Sequence, residues 1–111
     1  MANTFKLKTF NGSSTGANTA MTVYTVPAAT TTVVLGITLA NISAGTVYAT
    51  ALVENNDGDN INLLKDIPIP TGSSVEVMSG NKLILETSDV LKIQSDTANS
   101  IDTALSIMEQ A

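Results

Sequence analysis

The chain has 111 residues, a formal net charge of −5 and only 14% charged residues. It contains no His, Cys or Trp, and its basic residues are all lysines: Lys6, Lys8, Lys65, Lys82 and Lys92. Ser-His-Asp and Cys-His centres are excluded, zinc, haem and iron–sulfur sites lack their usual ligands, no disulfide can form, and five lysines against ten carboxylates argue against nucleic-acid binding.

A chain of this length has room for one core, so a single domain over residues 1–111 is expected. Thr, Ser, Asn and Gly together supply 43 of the 111 residues. Abundant Thr, Val and Ile with little charge suit strands, and suit a surface that lies against other protein. The first residues have no apolar stretch of signal-peptide length. The longest apolar run, residues 33–40, is broken by Gly36 and Thr38 and is far short of a membrane span. Synthesis and use without export through a membrane is the expectation.

The apolar period is two almost throughout, the signature of strands with two distinct faces. A first strand is expected near residues 4–10, followed by a Gly/Ser/Thr loop over residues 11–18. A second covers residues 21–26 and stops at Pro27. Residues 31–41 form the best strand. Val33, Leu35, Ile37 and Leu39 share one face, and the small side of Val34, Gly36, Thr38 and Ala40 permits close approach of another layer. Gly36 also marks a possible bulge site. Ser43-Ala44-Gly45 reads as a tight turn into residues 47–54 as hairpin partner. Asp57-Gly58, inside the run Asn55 to Asn60, fits a type I′ hairpin turn, and residues 61–65 return as a strand. Ile67-Pro68-Ile69-Pro70 lacks two backbone donors, so it belongs at an edge or crossover with both Ile inward. Shorter strands at residues 75–78, 82–86 and 91–95 follow, with Ser79-Gly80-Asn81 as a turn. Residues 101–108 close the chain, with Ile101, Thr103, Leu105 and Ile107 inward. A helix over residues 100–110 is the rival there, and the strand is preferred. The sum is an all-β, antiparallel β-sandwich or jelly-roll-like domain of about eight short strands.

No catalytic, cofactor-binding or metal-binding residue emerges. The Asn55–Asn60 run has oxygen ligands at alternate positions but lacks the closing Glu of a calcium loop, so a hairpin turn is preferred. Asp57, Asp59 and Asp66 are the remaining candidates for paired carboxylates, with no aromatic sugar platform beside them. A Ser–Lys pair has no residue to recommend it, and the lysines suit edge protection. Asn11-Gly12-Ser13 and Asn41-Ile42-Ser43 match the glycosylation sequon by chance in an Asn- and Ser-rich chain. Tyr24 and Tyr48 read either as subunit anchors or as core-rim residues with the hydroxyl in water.

Several segments together carry a resemblance. They are Met1-Ala2-Asn3-Thr4-Phe5-Lys6, Val23-Tyr24-Thr25-Val26-Pro27-Ala28-Ala29-Thr30-Thr31-Thr32-Val33-Val34, Leu39-Ala40-Asn41, Ile67-Pro68-Ile69-Pro70-Thr71-Gly72-Ser73-Ser74 and Asn81-Lys82-Leu83-Ile84-Leu85. In this order they make nearly the whole chain resemble the small virion structural proteins of tailed bacteriophages, notably phages of marine bacteria such as cyanobacteria. Those proteins usually carry a Gly-Asp turn after the Leu-x-Leu strand, where this chain has Thr87-Ser88-Asp89. The resemblance implies a non-enzymatic building block, made in the host bacterial cytoplasm and located in the virion, with no catalytic residue, cofactor, nucleic-acid partner or membrane. It implies a capsid decoration (cement) protein on the major capsid protein, or a neck or tail component, and a homo-oligomer with a trimer in first place. Contacts are expected from the backbone edges and small side chains of residues 31–41 and 47–54 and from the N-terminal strand. A host-surface binding module ranks below, since only Phe5, Phe10, Tyr24 and Tyr48 offer aromatic surface, and an enzyme ranks last.

Overall fold

The computed structural model describes residues 3–12, 16–78 and 81–111. Ser13 of the first sequon and the expected turn at Ser79-Gly80 lie outside the described residues. Nine strands follow in chain order: β1 (Asn3–Phe10), β2 (Met21–Thr25), β3 (Thr31–Asn41), β4 (Val47–Glu54), β5 (Asn60–Ile69), β6 (Ser74–Glu76), β7 (Leu83–Leu85), β8 (Val90–Ser95) and β9 (Ile101–Gln110). No α-helix occurs among the described residues. The C-terminal segment is the strand that its alternation requires. Continuing its inner row by two residues puts Glu109 inside with Ile107.

Two antiparallel sheets face each other. Sheet A has the order β1-β9-β3, with β6 and β7 lying along successive parts of the far side of β3. Sheet B has the order β2-β8-β4-β5. β6 and β7 together take the place of one strand, so the order is that of an eight-stranded jelly roll. Val34, Ile37, Leu39, Leu105 and Ile107 of sheet A meet Val47, Ala49, Ala51, Leu91 and Ile93 of sheet B in the apolar core. This is the ordinary reason for a sandwich: each sheet hides one face on the other.

Four local expectations need correction. The first concerns β3, which pairs Val34 with Ile107 but Gly36 with Ser106, so Leu35 is an extra residue in a β-bulge. The bulge reverses the parity of the strand. Val34, Ile37 and Leu39 point inward, while Val33 and Leu35 point out. Glu76 takes the amide of Ile37 beside the bulge at 3.0 Å and the hydroxyl of Thr38 at 3.2 Å.

The second concerns β3 and β4, which are not a hairpin but lie in opposite sheets. Both carry an apolar inner face, and those faces cover one another. Ser43-Ala44-Gly45 is therefore an arch between layers. Buried Asn41 holds it, donating Nδ2 to the carbonyls of Gly45 and Ile69 at 2.8 Å each and accepting the Ser43 amide at 2.8 Å.

The third is the turn type. β4 and β5 are a hairpin, but only Gly58 of the Asp57-Gly58 pair has positive φ (+94°), whereas type I′ requires both. Gly58 N donates to Asn55 O at 3.0 Å and Asn55 N to Asp59 O at 2.9 Å, a three-residue loop closed by a glycine bulge. The Asn55 side chain accepts the amides of Asp57 and Asp59 at 3.0 and 3.1 Å.

The fourth is the reach of β5. It continues through Pro68 to buried Ile69, and the prolines are tolerated because β5 is an edge strand.

Two substitutions test this reading. In the turn before β8, Asp89 N donates to Glu86 O at 3.0 Å, and exposed Ser88 sits at φ +73°, where glycine is the residue without a steric cost. Ser88→Gly is expected to raise stability by about 0.5–1 kcal/mol in chemical denaturation. The buried Thr103 hydroxyl has no hydrogen-bond partner. Thr103→Val keeps the shape and removes the unsatisfied group, so it is expected to stabilise by about 1 kcal/mol in the same measurement.

Candidate interaction surface

The residues weighed for chemistry do not assemble. Asp57 and Asp59 lie in the β4–β5 turn, while Asp66 is bonded to Thr50 within β5. Lys6 pairs with Glu109 at 2.7 Å and Lys92 with Glu54 at 2.9 Å, so the partners of both lysines are carboxylates. Among the described residues no group of three or more His, Cys, Asp or Glu could hold a metal ion, and no helix is long and apolar enough to cross a membrane. The sequon nitrogen of Asn41 is buried and already donates to two carbonyls. Tyr48 is exposed beside Pro68 on the edge pair of sheet B.

Tyr24 takes neither of its expected roles. It is buried, and its hydroxyl donates to Glu109 Oε2 at 2.5 Å and lies 2.8 Å from Thr32 Oγ1. The other carboxylate oxygen of Glu109 meets the Lys6 ammonium. One chain of polar groups thus joins β2 of sheet B to β1, β3 and β9 of sheet A. Burial, then the bond to Glu109, pushes the Tyr24 phenol up to about 12. Glu109 is held below the usual carboxylate value, first by Lys6 and then by Tyr24, against the opposing effect of burial. The signal that locates Glu109 in the sequence is the inner-row period of β9; Tyr24 has no comparable signal.

β1 is amphipathic in reverse. Thr4, Lys6, Lys8 and Phe10 share the inner face with Glu109, Ile107, Leu105 and Thr103 across the ladder, whereas Phe5 and Leu7 point out beside Met108 and Ser106. Phe5 is 72% exposed and Leu7 66%. The outward row continues across the sheet in register: Phe5 opposite Met108, Met108 opposite Val33, Val33 opposite Ile84. Leu35, thrown outward by the bulge, adds to it. The result is an apolar ridge crossing four strands.

Two rows away the same face changes character. Thr9, Ala104 and Thr38 are opposite one another, and Asp102 is opposite Ala40. These small side chains leave an open hollow of about 360 Å³. Two exposed carboxylates on this face make internal bonds: Glu76 at the bulge, and Asp102, which accepts the Gly12 amide at 2.6 Å. Gly12 is buried in that contact, and a Cβ there would collide with Ile42 and the Ile101 backbone. By contrast, the outer side of sheet B carries Lys92 paired with Glu54, beside Leu52, Asn62 and Gln94. The expectation that residues 31–41 and 47–54 offer backbone edges is also corrected, because β3 and β4 are paired on both sides. The small outward side chains of β3, Gly36, Thr38 and Ala40, stand as expected.

No protein-family model matches the sequence, and no curated protein matches it. In shape the chain is similar to a protein of Bacillus endospore appendages, a family of disulfide-linked pili. That likeness covers 97% of this chain and 84% of the other, at 14% identity and a TM-score of 0.53. It is also similar to a protein of the acidic stable capsid of Helicobacter pylori bacteriophage KHP30, over 98% of this chain and 87% of the other, at 11% identity and a TM-score of 0.53. At such identities the likeness is one of fold.

The polar chain predicts two pH limbs. The folded value of Glu109 is lowered, so its contribution is present above the ordinary carboxylate range and is lost as pH falls through and below it. The folded value of Tyr24 is raised from 10.0 to about 12, so between these values the unfolded state has lost a proton that the folded state keeps, and stability falls with rising pH. Denaturation series at several pH values should show both limbs. Tyr24→Phe should remove the Tyr24 part of the alkaline loss.

Proposed function

We propose that this chain is a non-enzymatic structural protein of a virus particle, and within it a capsid decoration protein. The observation that carries this is the outer face of sheet A: an exposed apolar ridge beside a hollow lined mainly by small residues. Such a surface costs little to desolvate and gains from burial. The reversed β1 strand fits this reading, since Phe5 and Leu7 add nothing to the core. The fold likeness to a phage capsid protein supports the virion setting, as does the resemblance to small structural proteins of tailed phages.

The protein would act by mass action as one sandwich spanning residues 1–111. It would bind the assembled lattice and not its separated subunits. At a free concentration a hundredfold above its dissociation constant, that binding stabilises the lattice by about 2.7 kcal/mol per site. Its partners would be the major capsid protein and further copies of itself in a homo-oligomer. A neck or tail position is the second reading, favoured by the likeness to a protein of the same fold that belongs to a pilus.

Gold labelling of intact particles with an antibody to this protein separates the two. Label over the whole head is expected; label at one vertex or along the tail would move the protein to the neck or tail. Absence of label from both intact and disrupted particles would overturn the virion reading. A chain lacking residues 1–10 is expected to lose most particle binding while still unfolding cooperatively, measured by cosedimentation and by a thermal melt.

A further inference from the structure

We infer that in free solution, where no lattice covers it, the outer face of sheet A is self-complementary and takes a second copy of this chain, the ridge of each copy seated in the hollow of the other. Ridge and hollow lie on one face, four residues apart along β1 from Phe5 to Thr9, or about 13 Å. A two-fold axis in the plane of the face, running between them, superposes one on the other. Contacts of this isologous kind close after two copies.

Size and chemistry both fit a second copy. β9 spans ten residues and four strands lie side by side, so the face measures roughly 34 by 19 Å, or about 650 Å² per copy. Two copies then bury about 1,300 Å², within the range of specific interfaces. A flat sheet of equal area is the best match for a flat sheet, and stacked sheets pack at about 10 Å. The ridge residues Phe5, Leu7, Leu35 and Ile84 are 72%, 66%, 37% and 58% exposed and project from the sheet. The short side chains of Thr9, Thr38, Ala40 and Ala104 leave the 360 Å³ that a projecting ridge can enter, with the Asp102 carboxylate also in the lining. The chain carries a net charge of −5, which opposes self-association in general. On this face Glu76 and Asp102 keep their charge while bonded to neutral donors, so the penalty applies here too and falls as salt screens it.

The test uses the full chain alone, without particles, so it stands or falls separately from the virion reading. Analytical ultracentrifugation is expected to show a concentration-dependent dimer, with a dissociation constant in the micromolar range of about 10⁻⁶–10⁻⁵ M for an interface of this size. A ridge variant, Phe5→Ser with Leu7→Ser, and a hollow variant, Ala104→Glu, are each expected to weaken dimerisation at least tenfold. Ala104→Gln serves if the charged variant melts early. All are exposed positions, and a thermal melt checks that each variant is folded. Mixing the two variants is the decisive step. Neither variant alone can form a ridge-in-hollow contact, but the mixed pair retains one of the two, so mixing is expected to restore association. A chain that stays monomeric tenfold above the expected constant would overturn the inference. So would a dimer indifferent to both variants, or a mixture that associates no better than its parts. Tyr48→Ser on sheet B is the control and should leave dimerisation unchanged.

Discussion

Glu109 is the group on which the arrangement turns. Its carboxylate stands between the Tyr24 hydroxyl of one sheet and the Lys6 ammonium at the edge of the other. The first contact ties the layers together, and the second pins β1 against β9. A shift of one residue would exchange the two faces of β1, bringing Phe5 and Leu7 inward and sending Lys6 out. The ion pair opposes that shift, although the shifted strand would hide more apolar surface. The outward position of Phe5 and Leu7 is thus bound to a buried charge. Truncating Glu109 would leave Tyr24 without its acceptor and β1 without its register mark.

Much of the architecture is legible in the alternation of the sequence, and the exceptions have physical causes. The period of two locates all nine strands to within a few residues, because half-buried strands need one apolar face. In β9 the expected inner row ends at Ile107, and the strand runs two residues further to place Glu109 inside. The period fails at Leu35, since Val33, Val34 and Leu35 are all apolar and either parity satisfies the pattern until one residue is inserted. It cannot separate a hairpin from an arch at Ser43-Ala44-Gly45. That choice is made by Asn41, whose side chain replaces backbone partners across two layers. The Asp57-Gly58 pair suits two turn types, and the Asn55 side chain favours the one that forms. The ridge has no signal of its own in the sequence: Phe5 and Leu7 alternate with Lys6 and Lys8, and only the pairing of β1 shows which row turns outward.

The high content of small polar residues has a structural use. With no helix among the described residues, loop amides have few backbone partners, and side chains of Asn, Asp, Ser and Thr take that place. Asp89 joins three loops at one end of the sandwich. It accepts the amides of Asn56 and Glu86 through its carboxylate at 3.0 and 2.8 Å, and that of Val26 through its carbonyl. At the opposite end the hydroxyls of Ser95 and Ser100 lie 2.7 Å apart and close the β8–β9 turn. A surface built this way is polar without being charged, which suits a protein surrounded by other protein.

The splitting of one strand into β6 and β7 limits how such chains can join edge to edge. On that side sheet A offers two three-residue pieces with a gap between them. In sheet B, β2 is short and its register shifts, and β5 carries Pro68 and a left-handed Asp66. Three of the four margins are therefore poor templates for an added strand, and β1 alone is long and regular. A molecule with one usable margin can join a neighbour there, and the joined pair then has none left. Polymerisation by strand addition stops at two, so a concentrated solution of this protein has no route of that kind to a fibril.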